Sequence, residues 1–229
     1  MAWSIISFVC ATSKQTSKTV CLTSYPPSRS WQEHLFRSTK IWEACRATSA
    51  ATSFFDPISI GQFGEEFVDG ALGANNPINI LWSQAQDVWG ASHLQRRLQC
   101  LVSIGTGVPS IKPFRDAFVH IGKSLVAIAT ETDNTAEQFR RDKFDLIHDG
   151  RYYRFNVNRG LEDIGLEETK KKKEIVAATG CYLDSQEVFE QLKRCAEKLK
   201  LTQESCKSDL FCSFTHRGCK LTWYSRHFD

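Results

Sequence analysis

Two kinds of pattern alternate along the chain: short runs of apolar, β-branched residues, and longer stretches with apolar residues at helical spacing. The short runs predict strands at residues 4–11, 19–24, 67–69, 99–104 and 151–157. The longer stretches predict helices at residues 39–48, 78–89, 117–142, 167–183 and 185–201. Strands and helices that alternate in this way are typical of an α/β fold.

The first three predicted helices each have an apolar face. The first follows a loop that runs from Tyr25 to about Arg37, and Ser38 or Thr39 is expected to cap it. Its apolar residues are Ile41, Trp42, Ala44, Cys45, Ala47 and Thr48. The inward residues of the second are Ile80, Leu81, Ala85 and Val88. Those of the third are Ile121, Leu125, Ile128, Ala129 and Phe139.

Composition narrows the class of protein only slightly. The 229 residues are 41% hydrophobic and 24% charged, which is ordinary for a globular domain. A net charge of +3 indicates neither nucleic-acid binding nor a polybasic membrane anchor. Nine cysteines, an odd number, favour free thiols in a reducing compartment, so we predict a cytoplasmic location. Because no apolar run reaches 18 residues, we predict no transmembrane segment.

The last residues, 202–229, break the pattern of strands and helices. They contain five side chains of metal-ligand type: Cys206, Cys212, His216, Cys219 and His227. Their spacing matches no common zinc motif, so we predict no metal site and a disordered tail. The chain therefore divides into a domain of residues 1–201 and a tail of residues 202–229.

The candidate chemistry lies in the segment Phe67–Pro77. An apolar pair runs into Asp69, which ends a strand, and the turn Asn75-Asn76-Pro77 opens the next helix. Two flanking segments, Ile41–Pro57 and Cys100–Pro109, accompany it. Together the three segments resemble the later half of the catalytic domain of patatin-like phospholipases, especially the fungal calcium-independent phospholipase A2-like members.

The resemblance implies a three-layer α/β/α sheet and an ester hydrolase that needs no cofactor and meets its lipid substrate at a membrane surface. In that family Asp-Gly-Ala carries the acid of a Ser-Asp dyad, and Asp69, Gly70 and Ala71 match it. Asp69 would be the proton acceptor, although an isolated Asp-Gly would be interpreted as a turn. The resemblance also suggests residues that line the acyl pocket: Ala47, Ser49, Ala50, Asn75, Asn76 and Gly105. We expect the strand ends at Asp69 and at Gly105 to border one crevice.

Two other family motifs do not occur in the sequence: the glycine-rich oxyanion run and the Gly-x-Ser-x-Gly elbow of the nucleophile. Ser103 comes nearest, but it precedes its glycines on a buried strand. The resemblance therefore implies an N-terminally truncated catalytic domain that keeps the dyad aspartate and is inactive by itself.

Two other classes of function stay open on the sequence alone. The chain would be a non-catalytic lipid-binding or regulatory pseudoenzyme that keeps the acyl pocket, or an interaction module whose sheet edge another chain completes. An in-frame Gly-x-Ser-x-Gly in the coding sequence upstream of Met1 would favour the hydrolase.

Overall fold

The computed structural model describes residues 4–28, 32–52, 54–108, 119–162, 164–165, 168–204, 210–215 and 220–225. The strands are β1 (Ser4–Ile6), β2 (Phe8–Ser13), β3 (Thr19–Thr23), β4 (Ile58–Ile60), β5 (Glu65–Asp69), β6 (Leu98–Ile104), β7 (Tyr152–Phe155), β8 (Leu210–Thr215) and β9 (Lys220–Ser225). The helices are α1 (Glu33–Ser38), α2 (Ile41–Thr48), α3 (Ala71–Ala74), α4 (Ile78–Trp89), α5 (Ala91–Arg97), α6 (Val119–Asp142), α7 (Phe144–His148), α8 (Lys172–Leu183) and α9 (Gln186–Glu204). This mixture confirms the α/β class.

The described strands form two hydrogen-bonded sheets, whereas the sequence suggested one. The first sheet has the order β3-β2-β5-β4, and its neighbouring strands are antiparallel. The second has the order β1-β9-β8-β6-β7, with β6 parallel to both β7 and β8. The chain passes from the second sheet to the first at Ser7, between β1 and β2.

Helices cover both faces of β6 and β7, which explains why β6 is a continuous apolar run. On one face, Cys100 and Val102 pack with Val188 and Cys195 of α9. The residues of the opposite face belong to a core that also includes β2 and helices α4 to α7. Its fully buried members include Phe8, Ile78, Leu81, Leu94, Leu101 and Phe139. This core joins the two sheets.

Helix α1 occupies residues that the sequence suggested were a loop. Glu33 accepts hydrogen bonds from the guanidinium of Arg37, one turn later, at 2.6 and 3.0 Å. Leu35 is buried against the first sheet and anchors the helix. A helix of six residues with a single buried side chain has too little periodicity to be predicted.

Helix α2 begins where we expected, but its cap and its buried face differ from the prediction. Its N-cap is Lys40, whose backbone N–H donates to the carboxylate of Glu43 at 2.8 Å, and not Ser38 or Thr39. The helix packs on the first sheet through small residues, so Ala47 and Thr48 are buried. Ile41 and Trp42 remain 85% and 60% exposed.

Three of the nine core positions predicted for the next two helices are confirmed. Leu81 and Ala85 of α4 are buried, but Val88, near its end, is exposed. Phe139 of α6 is buried against Trp82 and Tyr152. The other residues predicted for α6 have side chains outside the described part of the structure: Ile121, Leu125, Ile128 and Ala129.

The tail contains β8 and β9, where we expected disorder. Apolar and polar residues alternate in part within both strands, and β8 extends the second sheet beside β6. Of the five candidate zinc ligands, Cys212 lies in β8 and the other four fall outside the described residues. The division of the chain at residue 202 stays a prediction. Among the described residues, no helix combines the length and the apolar character needed to cross a bilayer.

The exposed apolar pair on α2 leads to a prediction about association. Because Ile41 and Trp42 present adjacent apolar surface to solvent, we expect the chain to self-associate. The double change Ile41→Ser and Trp42→Ser should lower the weight-average mass measured by light scattering. Val176→Ser, which removes an exposed apolar side chain from α8, is the control. An equal effect of both variants would contradict a specific role for α2.

Candidate active site

Asp69 ends β5 at the point where the chain turns into α3. It lies opposite Ala11 of β2, and its backbone N–H donates to the carbonyl of Ala50 at 2.9 Å. The N–H of Ala71 donates to Oδ1 of Asp69 at 2.8 Å. The side chain is half-buried. Backbone contacts on both sides therefore fix the carboxylate at the start of α3.

The pKa of Asp69 lies above the ordinary value of 3.8 for an aspartate. Burial is the main cause, because it disfavours the charged form. The hydrogen bond from the Ala71 N–H opposes this effect, but is the smaller of the two. A raised pKa makes the carboxylate a better proton acceptor than an exposed aspartate.

Gly70 allows the chain to turn against β2 immediately after Asp69. A Cβ atom at this position would lie 2.7 Å from the carbonyl carbon of Cys10 and also against its oxygen. The φ angle of Gly70 is −68°, which any residue can adopt. The need for glycine is therefore steric, because the chain passes directly against the Cys10 backbone of β2 as it leaves β5.

A groove of about 450 Å³ runs along one side of α3. Its lining residues are Thr12, Ser13, Lys14, Ser17, Thr19, Thr52, Phe55, Pro57, Val68, Leu72 and Gly73. Phe55, Val68 and Leu72 give it apolar walls, and Val68 is the residue before Asp69. The hydroxyl of Thr12, which is buried, has no hydrogen-bond partner among the described groups. We call this feature the apolar groove.

A second cavity, of about 190 Å³, lies between the end of α3 and helix α6. Its lining residues are Gly73, Ala74, Asn75, Asn76, Asn79, Ile80, Glu131, Thr132 and Thr135. Nδ2 of Asn75 donates to Oγ1 of Thr132 at 2.6 Å, and Nδ2 of Asn76 donates to the Thr132 carbonyl at 3.2 Å. We call it the amide cavity. Gly73 lines both the groove and the cavity.

The residues suggested for the acyl pocket divide into two groups. Asn75 and Asn76 line the amide cavity. Ala47 and Ala50 are fully buried, and Ser49 is exposed with its hydroxyl donated to the carbonyl of Cys45 at 2.7 Å. None of these three lines the apolar groove or the amide cavity.

The groove residues Thr12 and Phe55 were not suggested by the sequence. Phe55 belongs to the pair Phe54-Phe55 ahead of Pro57, and both phenylalanines are exposed. Two adjacent aromatic residues ahead of a proline are the sequence feature that could have indicated a groove here. Thr12 gave no signal, because a threonine in a strand is ordinary.

Gly105 follows β6 in the second sheet, whereas Asp69 ends a strand of the first. A Cβ at Gly105 would lie 2.8 Å from Nη2 of Arg154 and against the amide of Asn156. That amide accepts a hydrogen bond from the N–H of Gly107 at 2.8 Å. Gly105 therefore packs against β7 and the residue after it, and it lines neither the groove nor the cavity described above.

Ser103 cannot serve as an exposed nucleophile in this arrangement. Its side chain is 0% exposed, and its hydroxyl accepts a hydrogen bond from Nη1 of Arg154 at 2.8 Å. Among the described residues, no serine hydroxyl is hydrogen-bonded to the Asp69 carboxylate. The structure thus holds the Asp69 carboxylate at the end of β5, and Asp69 follows Val68 of the apolar groove in the chain without lining the groove itself.

Comparison with known proteins finds similarity to one family in the first part of the chain. A family model described as patatin-like phospholipase matches residues 6–82, which include Asp69 and most of the groove and cavity residues. The match ends before β6, so it does not include Gly105.

Individual relatives agree with the family match. Phospholipase A I of Arabidopsis thaliana is 30% identical over 132 residues, which is 57% of this chain and 10% of the plant protein. Calcium-independent phospholipase A2-gamma of Mus musculus is 29% identical over 136 residues, or 58% of this chain and 16% of the mouse protein. The human protein of the same name is 29% identical over 137 residues, or 58% of this chain and 16% of the human protein. The chain therefore spans a small part of the length of these relatives.

Proposed function

We propose that the chain supplies the aspartate of a Ser-Asp dyad in a lipid acyl hydrolase, because residues 6–82 match the model of patatin-like phospholipases. The observation that carries this proposal is the position of Asp69. Its carboxylate is fixed by the Ala71 N–H, its pKa is raised by burial, and it is the next residue in the chain after Val68, which lines the apolar groove.

The proposed chemistry follows from the two oxygens of the carboxylate. Oδ1 accepts the hydrogen bond from Ala71, which leaves Oδ2 to accept the proton of a serine hydroxyl. The deprotonated serine attacks the ester carbonyl, and backbone N–H groups stabilise the resulting oxyanion. The serine and the oxyanion donors belong to motifs that the 229 residues do not contain, so another segment must provide them.

The apolar groove defines the class of substrate. An acyl chain has no hydrogen-bonding groups, and it is stabilised by burial against apolar side chains such as Phe55, Val68 and Leu72. Val68 and Leu72 flank the Asp69-Gly70-Ala71 turn in the chain, so an acyl chain in the groove would lie near this turn, although Asp69 itself does not line the groove. We infer that the substrate is an ester of a fatty acid, met at a membrane surface.

One observation favours a second function. No described serine contacts Asp69, and Ser103 is buried, so the described residues offer no nucleophile beside the carboxylate. A protein that binds lipid in the groove without hydrolysing it would fit these observations as well. In that case fatty acid would bind to the chain, but no added segment would restore hydrolysis.

The test is complementation. The purified chain should show no esterase turnover above a heat-inactivated control and no labelling by a fluorophosphonate serine probe. Fusion to a segment of a patatin-like phospholipase that carries the oxyanion run and Gly-x-Ser-x-Gly should restore both. Labelling of a serine within the unfused chain, mapped by mass spectrometry, would contradict the proposed division of the site. A fusion that binds fatty acid without hydrolysis would support the second function.

A further inference from the structure

Two cysteines face each other across neighbouring strands of the first sheet. The strand register places Cys10 of β2 directly opposite Cys21 of β3. Side chains of directly opposite residues lie on the same face of a sheet. Both cysteines accordingly pack with the core that joins the two sheets, Cys10 as a buried member and Cys21 as a partly buried neighbour.

The hydrogen bonds of this ladder show how closely the two cysteines approach. On either side of them, a backbone N–H donates to the carbonyl of the opposite residue: Ser13 to Lys18 at 2.9 Å and Ser24 to Ser7 at 2.8 Å. Hydrogen-bonded and non-hydrogen-bonded pairs alternate along an antiparallel ladder. Cys10 lies three positions from the β2 side of both pairs, so Cys10 and Cys21 form a non-hydrogen-bonded pair. The Cα atoms of such a pair are about 4.5 Å apart, which is within the range of about 4.4 to 6.8 Å that a disulfide bridges.

The two thiols differ in their access to solvent. Cys10 is fully buried, whereas Cys21 is partly exposed on β3, the edge strand of the first sheet among the described strands. A small oxidant such as hydrogen peroxide therefore meets Cys21 first. A sulfenic acid on Cys21 would have the Cys10 thiol directly opposite, and sulfenic acids condense with thiols to form disulfides.

The cysteine pair adjoins the turn that carries Asp69. Cys10 immediately precedes Ala11, which is paired with Asp69. A Cβ at Gly70 would lie only 3.0 Å from the Cβ of Cys10. Because packing here is so close, a bond that draws the Cys10 side chain toward β3 changes the surroundings of Gly70.

We propose that Cys10 and Cys21 form a peroxide-sensitive site in which a reversible disulfide closes beside the Asp69 turn. The Cys21 thiolate attacks one oxygen of hydrogen peroxide, the O–O bond breaks, and the departing hydroxide takes up a proton and leaves as water. The Cys10 sulfur then attacks the sulfur of the Cys21 sulfenic acid, whose hydroxyl leaves with the Cys10 proton as a second water. The two thiols together lose two electrons to the peroxide, and a thiol reductant restores them. This inference does not depend on the proposed function.

The test begins with the full chain, which is reduced, freed of reductant and treated with hydrogen peroxide before the remaining thiols are alkylated. Tryptic mapping without reduction should find residues 1–14 joined to residues 19–29, since each of these peptides contains one cysteine of the pair and no other. Dithiothreitol should restore both thiols. In the isotope-labelled chain, the same treatment should shift the backbone amide signals of Gly70 and Ala71 in NMR spectra.

Three variants separate the roles of the thiols. Cys21→Ser should abolish the disulfide and the shift of the Gly70 signal. Cys10→Ala removes the second thiol, so the sulfenic acid on Cys21 should accumulate and be trapped by dimedone. Cys45→Ser removes an exposed cysteine from α2 and should leave the disulfide unchanged.

Several results would overturn the inference. One is equal alkylation of Cys10 and Cys21 with and without peroxide, and another is the formation of disulfides only between chains. A third is a bond only between Cys100 and Cys195, which pack together in the core beside α9 but are both buried. A disulfide that leaves the Gly70 signal in place would overturn its connection to the turn. If Cys10→Ala does not fold, peptide mapping of the native chain and of Cys21→Ser decides.

Discussion

Asp69→Asn should lower the turnover of the complemented hydrolase by about two to four orders of magnitude, the range typical of a general base. The amide keeps the shape of the carboxylate and can still accept the hydrogen bond from Ala71, but it cannot take up a proton. The measurement is kcat/KM on a fatty-acid ester, with Asp56→Asn, at an exposed position, as the control. Turnover that survives Asp69→Asn would contradict the role of Asp69 as the base.

In the unfused chain, Asp69→Asn should raise the melting temperature at pH 7. Because the pKa of Asp69 is higher in the folded state, the favourable contribution of this group is complete below its unfolded pKa, near 3.8. That contribution is lost as the pH rises through the folded pKa, since the ionised carboxylate is poorly solvated. The neutral amide of the Asp69→Asn variant avoids the loss, so the advantage of this variant in melting temperature should shrink as the pH falls toward 3.8. An advantage independent of pH would contradict this explanation.

Gly70→Ala should be the most destabilising small change near the site. The added methyl group would meet the backbone of Cys10, which cannot move without breaking the pairing of β2. We expect the free energy of unfolding to fall by about 3 kcal/mol, the upper part of the usual range for overpacking. Urea unfolding followed by circular dichroism measures this change.

Gly180→Ala is the matched control for the change at Gly70. Gly180 lies within α8, and a Cβ there would meet no atom within 4 Å. Alanine should therefore raise the stability by about 0.5 to 1 kcal/mol, because it forms helices more readily than glycine. If both substitutions destabilise the chain equally, the steric argument for Gly70 is wrong.

The elements predicted well are those with a long, regular apolar pattern in their own sequence. Strand β6 is apolar throughout because both of its faces are covered, and α4 combines a proline start with a twelve-residue apolar pattern. Helix α1 and strand β4 were missed because three to six residues give no reliable period. The prediction of which face of α2 is buried was wrong, because the small residues of the helix, and not its large ones, contact the first sheet.

The candidate site was predictable in part for similar reasons. Asp69 follows from a local motif, since Gly70 and Ala71 are its neighbours in the chain. The amide cavity does not, because it depends on Thr132 of α6 meeting Asn75 across 57 positions. The raised pKa of Asp69 also depends on packing that no local pattern encodes. Asp69 and Gly105 lie in or beside different sheets because β5 pairs with β2 and not with β6. The sequence does not specify this pairing, so the separation could not be predicted.

The pairing of β1 with β9 has a consequence for how the chain folds. Ser4 lies opposite Ser225, so this part of the second sheet closes one of the longest loops that the chain can make. Contacts between residues so distant in sequence form slowly, because the loss of chain entropy precedes any gain from pairing. During synthesis, β1 emerges long before residues 220–225, so its partner strand does not yet exist. Until then its edge is open to strands of other nascent chains, so dilution and chaperones should raise the yield of folded protein.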